Sequence, residues 1–192
     1  MEAFQTIQGE GYHQGKAAYF IRLGGCDVGC HWCDVKESWD ASEHHPTPIR
    51  QIIKSIPENS KRVVVTGGEP LMWNLNPLTQ ALKSRGIKIH IETSGAYSIS
   101  GSWDWFCLSP KRRKLPVPKA YRLANELKVI VYNQSDFHFA VKQSKKVSSG
   151  CLLFLQPEWS KRSLMMPLIM DFIKENPQWM VSLQIHKYLE IP

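Results

Sequence analysis

Three closely spaced cysteines are the part of the sequence best suited to chemistry. Cys26, Cys30 and Cys33 follow the spacing Cys-x3-Cys-x2-Cys, directly after an apolar run at 17–23. Three thiolates on one short loop can ligate three irons of a 4Fe-4S cluster. A cubane cluster has four irons, so one iron stays open to another ligand. The spacing therefore predicts an iron–sulfur cluster with one open coordination position.

A zinc site and a disulfide are the alternatives for this loop. A structural zinc site needs four ligands at closed tetrahedral spacing, and His31 is adjacent to Cys30 rather than suitably spaced. A disulfide would leave one cysteine over and is typical of secreted chains. The spacing favours the cluster over both.

Length and composition predict one globular domain over 1–192. The 192 residues, 43% hydrophobic and 21% charged, are enough for a core but few for a full eight-fold α/β barrel. The N-terminus carries no basic and apolar segments of an export signal, and no apolar run approaches the roughly 20 residues of a membrane span. Five cysteines then indicate a reducing cytoplasm, with no membrane partner.

The charge balance is basic, with 24 Lys and Arg against 17 Asp and Glu and a net charge of +7. This charge is compatible with nucleic acid, and it suits an anionic small substrate equally well. No motif that interleaves basic and aromatic residues accompanies it, so we expect no nucleic-acid partner. The densest basic run, at 111–114, follows the end of a predicted strand, which favours a role near a site.

Apolar β runs alternate with helical patterns and predict a parallel α/β sheet. We expect about six strands in a partial barrel, with helices after Thr47 as N-cap, at Asn76-Pro77, and around Met165 to Ile173 with Pro167 in the first turn. Successive strands end in glycines or polar residues, and ligands bind at such carboxyl ends. The β runs lie at 18–23, 62–66, 87–91, 103–108, 127–132, 151–155 and 181–185.

The cysteine motif together with Gly67-Gly68-Glu69 resembles the radical S-adenosylmethionine (SAM) enzymes. The resemblance implies that the open iron binds the amino and carboxylate groups of SAM. One electron from the cluster then cleaves SAM to methionine and a 5′-deoxyadenosyl radical, which abstracts a substrate hydrogen. The cluster and SAM carry the chemistry, so no side chain is predicted as catalytic.

A closer resemblance covers nearly the whole chain and is to the 7-carboxy-7-deazaguanine synthase family. That family converts 6-carboxy-5,6,7,8-tetrahydropterin to the 7-deazapurine core used for queuosine, by ring contraction with loss of ammonia. The resemblance implies a trimmed barrel, a homodimer, and a flavodoxin or ferredoxin as reductant. The matching segments are FQTIQGEG at 4–11, FIRLGGC at 20–26, CHWCD at 30–34, TGGEP at 66–70, ETSG at 92–95, SPK at 109–111, LQP at 155–157 and QIHKYLEIP at 184–192.

The resemblance assigns site residues position by position. The cluster would be held by Cys26, Cys30 and Cys33. Glu10 can accept hydrogen bonds from the amino-pyrimidine edge of the pterin, and Arg22 can bind its carboxylate. The predicted SAM contacts are Gly67, Gly68, Glu69, Gly95, Ser109, Pro110, Lys111, Gln156, Pro157, Glu158 and Trp159. The predicted substrate contacts are Ile7, Gln8, Gly9, Glu10, Arg22, Thr93, His186 and Pro192.

One position departs from the family pattern. The family commonly follows Cys-Asp with Thr or Ser, whose hydroxyl helps bind Mg²⁺ near the substrate carboxylate. Here Val35 follows Asp34, and valine cannot ligate a hard cation. The sequence leaves two possibilities: Asp34 and the substrate supply the oxygens for Mg²⁺, or Mg²⁺ is dispensable.

Two other functions use parts of the same evidence. A glycyl-radical enzyme activating protein shares the short chain and the cysteine motif, but it does not account for the segments at 8–11 and 184–187. A nucleic-acid-binding protein with a cluster or zinc would account for the charge of +7, but it has no need of the glycines at the strand ends.

Overall fold

A computed structural model describes residues 2–192, with Met1 outside the described residues. Eight strands form one sheet in the order of the sequence. The first pair, β1 and β2, is antiparallel, and every later neighbour is parallel. The strands are β1 Glu2–Ile7, β2 Ala17–Leu23, β3 Arg62–Gly67, β4 Lys88–Thr93, β5 Trp105–Leu108, β6 Glu126–Val131, β7 Leu152–Pro157 and β8 Trp179–Val181.

Helices lie in most of the connections between the parallel strands. Such crossovers place a helix on the sheet face and return the chain to the same edge. The helices are α1 Ile49–Ser55, α2 Asn76–Lys83, α3 Pro118–Leu123, α4 Ser135–Ser144, α5 Arg162–Glu175 and α6 Ile185–Leu189. No helix within residues 2–192 has the length and apolar character needed to cross a membrane.

The predicted trimmed, TIM-like α/β barrel is confirmed. The strand order runs from β1 to β8 without closing, so these two strands are the sheet edges. The sheet has eight strands rather than the expected six or so: each of the seven predicted β runs overlaps one of the strands β2 to β8, and the hairpin strand β1 adds the eighth.

The two faces of the sheet differ in chemistry because side chains alternate along each strand. In β4, Ile89 and Ile91 are fully buried in the main apolar core against the helices. His90 and Glu92, at the alternate positions, belong to the opposite face. Lys128 of β6 likewise alternates with the buried Leu127 and Val129. The face away from the helices therefore carries charged residues, and it forms the interior of the open barrel.

Three predicted helix boundaries are wrong by a few residues. The residue before α1 is Pro48, whereas Thr47 makes no capping bond and its hydroxyl donates to the His45 carbonyl at 3.4 Å. Helix α2 begins at Asn76 rather than after it. Pro167 lies beyond the first turn of α5, because that helix begins at Arg162.

The last predicted strand, at 181–185, is also wrong in its extent. Strand β8 ends at Val181, and Ile185 begins α6. The backbone N–H of Ile185 donates to the Gly9 carbonyl at 3.0 Å. This contact with the loop after β1 takes the chain away from the sheet.

Candidate functional site

A cavity at the carboxyl ends of the strands brings together residues from the whole length of the chain. It extends over the barrel interior from the loop after β1 to α6. Of the predicted site residues, Gly95 and Pro110 are not among its lining residues. The predicted residues that line it are Ile7, Gln8, Gly9, Glu10, Arg22, Cys26, Cys30, Cys33, Asp34, Gly67, Gly68, Glu69, Thr93, Ser109, Lys111, Gln156, Pro157, Glu158, Trp159, His186 and Pro192.

Gly67, the last residue of β3, and Gly68 after it position the cysteine loop. Gly67 has φ +120°, and a Cβ there would collide with the backbone of Leu23. A Cβ on Gly68 would collide with the carbonyl of Gly25. Without side chains, the two loops join through backbone bonds: the Gly68 N–H donates to the Leu23 carbonyl and the Glu69 N–H to the Gly25 carbonyl, both at 2.8 Å. These glycines therefore fix the loop that carries the thiols.

The three thiols suit an iron–sulfur cluster. Cys26, Cys30 and Cys33 are free and partly exposed to the same cavity. Burial raises the pKa of the Cys30 thiol, while the cations of Lys111 and Arg113 oppose that rise. Within residues 2–192, no three His, Cys, Asp or Glu side chains converge as around a single metal ion. A cubane instead requires thiolates on separate iron atoms, so the donor set fits the cluster.

The basic run at 111–114 is attached to the cysteine loop. Arg113 Nη1 donates to the Gly29 carbonyl at 2.6 Å. Lys114 Nζ lies 2.8 Å from Asp27 Oδ2 and 2.6 Å from the Tyr97 hydroxyl. The basic run therefore stabilises the cysteine loop and places positive charge beside the thiols.

The carboxylate of Glu69 is buried and saturated with hydrogen bonds. It is 1% exposed and accepts from the Thr93 hydroxyl at 2.5 Å and from the Leu71 N–H at 3.0 Å. Ser94 donates to it through its N–H at 2.8 Å and its hydroxyl at 2.5 Å. Thr93, a predicted substrate contact, thus holds Glu69 in this structure. The arrangement fixes an anionic edge beside the cysteine loop.

The next parts of the predicted SAM site lie after β5 and β7. Lys111 Nζ donates to the Ser109 carbonyl at 2.8 Å and lies 5.4 Å from the centre of the Trp32 ring. Burial lowers the pKa of Lys111. Beyond β7, the guanidinium of Arg162 lies 4.1 Å from the centre of the Trp159 ring. Gly95, in contrast, packs against Leu108 and Ala120 of the core.

A buried lysine organises the opposite side of the cavity. Lys128 Nζ lies 2.6 Å from Glu10 Oε2 and 2.9 Å from Glu92 Oε2. Burial alone would raise the pKa of Glu10, but Lys128 lowers it to about 2. Burial alone would lower the pKa of Lys128, yet the acidic groups around it, Cys107, Glu10 and Glu92 among them, raise it well above its usual range. The Glu10 carboxylate and the Lys128 ammonium are therefore both charged at neutral pH.

Two glutamines complete this cluster. Gln8 Nε2 donates to Glu92 Oε1 and Gln184 Nε2 to Glu10 Oε1, each at 2.9 Å. In each of the two carboxylates, one oxygen therefore accepts from the Lys128 ammonium and the other accepts from a glutamine amide. This array offers fixed hydrogen-bond acceptors to the amino and ring N–H groups of a heterocycle.

The C-terminal segment closes over the first hairpin. The His186 ring packs against Gly9 so closely that a Cβ there would collide with it. Burial lowers the pKa of His186, although Glu10 opposes the shift. The Thr6 hydroxyl donates to the Pro192 carbonyl at 3.3 Å. His186 and Pro192 thus reach the cavity because α6 is held on the loop after β1.

Arg22 has a partner at the edge of the cavity. Its Nη1 lies 2.7 Å from Glu2 Oε1, and its guanidinium lies 4.8 Å from the centre of the Phe4 ring. The side chain still lines the cavity. Arg22 therefore has an ion-pair partner and also lies where it can meet an anion.

The residues around Asp34 do not fit Mg²⁺. Val35 lines the cavity next to Asp34 and supplies no oxygen from its side chain. Lys187 Nζ lies 2.6 Å from Asp34 Oδ2, and Gln184 Nε2 approaches the same oxygen at 3.4 Å. A hard cation needs several oxygen ligands, whereas here two nitrogen donors already meet Asp34 Oδ2.

Several cavity residues had no role in the sequence interpretation. Lys128 is a lone cation in an apolar strand, and this pattern could have identified it, because burying an unpaired charge is costly. Glu92 directly precedes Thr93 in the polar segment that ends a predicted strand, and this position could have identified it. Gln184 and Lys187 flank His186 in a segment already matched to the family, yet only the histidine received a role.

Three thiols on a loop at the carboxyl end of an open parallel β/α sheet define a radical SAM enzyme. In agreement, the family model described as the Radical SAM superfamily matches residues 20–99, and this superfamily implies a 4Fe-4S cluster and SAM. Curated proteins from Flavobacterium psychrophilum and Synechocystis sp. are 62% and 48% identical to the chain, covering 100% and 99% of it and 91% of each relative. Both are named 7-carboxy-7-deazaguanine synthase. The chain belongs to the 7-carboxy-7-deazaguanine synthase family.

A solved structure agrees with this membership. The crystal structure of QueE from Escherichia coli superposes with a TM-score of 0.80 and 32% sequence identity, covering 95% of this chain and 92% of that one. Family membership decides against the two alternatives, the glycyl-radical enzyme activating protein and the nucleic-acid-binding protein.

Proposed function

We propose that the protein converts 6-carboxy-5,6,7,8-tetrahydropterin to 7-carboxy-7-deazaguanine with loss of ammonia, in 7-deazapurine or queuosine biosynthesis. The observation that carries this proposal is the cavity itself. It joins three thiols to the Glu10–Lys128–Glu92 cluster and to Arg22. A heterocycle with N–H donors and a carboxylate would find a partner for each group there.

The cluster and SAM, when bound, supply the hydrogen-atom abstraction that starts the reaction. Cys26, Cys30 and Cys33 would hold the cluster, and the loops at 67–69, 109–111 and 156–159 would hold SAM, with Gly95 behind them. The Glu69 carboxylate, whose oxygens already accept four hydrogen bonds from the chain, would attract the ammonium group of SAM through its charge rather than through a free lone pair, and Lys111 gives a donor for anionic or carbonyl oxygens.

The substrate would lie between the Lys128 cluster and Arg22. Glu10 would accept from its amino-pyrimidine edge and Arg22 would bind its carboxylate, with Gln8, Thr93, His186 and Pro192 enclosing it together with Ile7 and Gly9. Because Lys128 keeps the Glu10 pKa at about 2, this acceptor stays ionised throughout the physiological range.

The remaining proposals concern the context of the enzyme. A flavodoxin or ferredoxin would reduce the cluster, as the family resemblance implies. A cytoplasmic location would keep the three thiols reduced.

The homodimer rests on the family resemblance. A single domain over 1–192 is supported by the one sheet that joins all eight strands of the described residues.

The test is anaerobic reconstitution with iron and sulfide, followed by reductant, SAM and 6-carboxytetrahydropterin. We expect 5′-deoxyadenosine and 7-carboxy-7-deazaguanine, both identified by mass spectrometry. Cleavage of SAM with the pterin unchanged would show that the substrate is wrong. Absence of a cluster would overturn the whole proposal.

Two cysteine variants provide a matched comparison. Cys30→Ala removes a proposed cluster ligand and should abolish product formation. Cys151→Ala removes a buried thiol next to β7, outside the cavity lining, and should leave the cluster content and the product yield unchanged.

A further inference from the structure

Lys187 lies where a cation beside Asp34 would lie. Its Nζ is 2.6 Å from Asp34 Oδ2, the short distance of a charge-assisted hydrogen bond. The lysine side chain is 19% exposed, against 52% for the aspartate. Both residues line the same cavity as Arg22 and the cysteines. The Asp34 carboxylate is therefore already neutralised from within the chain.

The position of this ammonium is fixed by the surrounding structure. Helix α6, which carries Lys187, is tied to the loop after β1 by the bond from the Ile185 N–H to the Gly9 carbonyl. Gln184, just before the helix, donates to Glu10 at 2.9 Å. The Trp159 ring centre lies 5.3 Å from Lys187 Nζ. The lysine is thus a constrained part of the cavity wall.

We propose that the Lys187 ammonium, held by Asp34, takes the place of a divalent cation, and that a substrate carboxylate binds against Lys187 and Arg22 without Mg²⁺. This inference rests on the proposed function. An ammonium carries three donors on a compact charge, so one can remain on Asp34 while another meets the substrate. Val35 in addition supplies no side-chain hydroxyl that a metal could use.

The first test is the metal dependence of the reconstituted enzyme. After gel filtration into buffer containing EDTA, we expect the rate and the KM for the pterin to change by less than about twofold when excess Mg²⁺ is added, since no part of the binding free energy depends on the metal. A rise of tenfold or more with Mg²⁺ would overturn the inference. Failure to form the product with or without Mg²⁺ would instead overturn the proposed function.

The second test removes the ammonium. Lys187→Met keeps a long unbranched side chain, and we expect the KM for the pterin to rise about 10- to 100-fold, the loss expected for one charge-assisted hydrogen bond. Lys187→Arg should retain most of the affinity because it keeps the charge. Lys174→Met is the control, because Lys174 pairs with Asp171 at 3.0 Å on the exposed surface of α5. An unchanged KM in Lys187→Met would contradict the proposal.

The third test uses Mn²⁺ as a spectroscopic probe for the magnesium site. In the reconstituted enzyme with SAM and pterin, electron paramagnetic resonance should detect no stoichiometric Mn²⁺ site. The double variant Val35→Thr, Lys187→Met restores the hydroxyl and frees Asp34, and it should gain one site together with stimulation by Mg²⁺. A stoichiometric site in the unsubstituted enzyme that Asp34→Asn abolishes would overturn the inference.

Discussion

Lys128 Nζ lies 2.6 Å from Glu10 Oε2, and the lysine side chain is 4% exposed. The two residues come from β6 and from the loop after β1, far apart in the sequence. Because Lys128 also binds Glu92, one ammonium holds two carboxylates at the floor of the cavity. Removing it would leave two uncompensated anions facing each other, which is far more costly than removing an exposed lysine.

We expect Lys128→Met to destabilise the protein by about 3–5 kcal/mol, the usual cost of breaking a buried ion pair. Lys88→Met is the matched control, because Lys88 is 70% exposed and lies 3.5 Å from Asp104. Its effect should stay below about 1 kcal/mol. Urea unfolding at pH 7 measures both, and equal effects would contradict the assigned role of Lys128.

The same variant should change the pH dependence of stability. The folded-state pKa of Glu10, about 2 against an ordinary value of 4.5, means that its stabilising contribution is present above pH 4.5 and is lost as the pH falls toward 2. Without Lys128, burial would raise the pKa of Glu10, and stability would then fall as the pH rises above 4.5. Urea unfolding between pH 5 and 8 should therefore show a more negative slope in Lys128→Met than in the unsubstituted protein.

The sequence predicted the parts of this site that local patterns encode. The cysteine spacing, the glycines after β3 and the order of the strands depend on neighbours in the chain, so they were recognisable. The pairing of Lys128 with Glu10 depends on the closure of the barrel, which no local pattern specifies. Helix α4 was not located because two of its buried positions are the polar Asp136 and Gln143, which interrupts an apolar stripe.

Segments whose path depends on distant contacts were also predicted less well. Ile185 has the β-branched side chain of a strand residue, yet its N–H bonds to Gly9 and it starts α6. The Lys187–Asp34 pair depends on that change of direction. Tertiary contact overrides local propensity at such positions.

The glycine that ends β3, Gly67, gives a prediction about packing. Gly67→Ala would strain a backbone at φ +120° and push a methyl group into the Leu23 backbone, so we expect it to destabilise the protein by more than about 2 kcal/mol and to reduce cluster incorporation. Gly86→Ala shares a positive φ, +68°, but its Cβ would meet nothing within 4 Å. It should cost only about 1 kcal/mol. Thermal unfolding and iron analysis compare the two, and similar losses would show that strain, not the collision, matters at Gly67.

The histidines at the other end of the barrel predict acid sensitivity. Burial, with the Arg62 and Lys16 cations, lowers the pKa of His13 to about 4. Burial, with His13 and Arg62, lowers that of His90 to about 3 despite Asp104. The folded state favours their neutral forms, so their contribution to the stability of the protein is complete above pH 6.5. It declines as the pH falls toward about 4 for His13 and about 3 for His90. Each histidine that is protonated in the unfolded state but neutral in the folded state lowers the free energy of unfolding by at most about 1.4 kcal/mol for each pH unit of acidification. The effect is smaller for His13, which is the more exposed of the two.

A substitution at His13 tests this. Both ring nitrogens of His13 are buried without a hydrogen-bond partner, and the ring lies 4.6 Å from Trp105. His13→Phe should therefore preserve stability at pH 7 and lose less of it at pH 5 than the unsubstituted protein. His138→Phe, at an exposed position of α4, serves as the control and should keep the original slope. Urea unfolding at both pH values gives the comparison, and an unchanged slope in His13→Phe would show that His13 does not cause the acid sensitivity.

Arg22 allows its two partners to be separated by substitution. If it serves the substrate carboxylate, Arg22→Lys should raise the KM for the pterin about 10-fold or more, because lysine cannot form the two parallel bonds of a guanidinium. Glu2→Ala removes the other partner, which lies 2.7 Å from Nη1. That pair is partly exposed, so Glu2→Ala should change stability by less than about 1 kcal/mol and should leave the KM unchanged or lower it. Steady-state kinetics with urea unfolding measures both effects. A KM that rises equally in both variants would show that Glu2 orients Arg22 for binding. If Arg22→Lys instead lowers the stability and leaves the KM unchanged, Arg22 serves only as the ion-pair partner of Glu2.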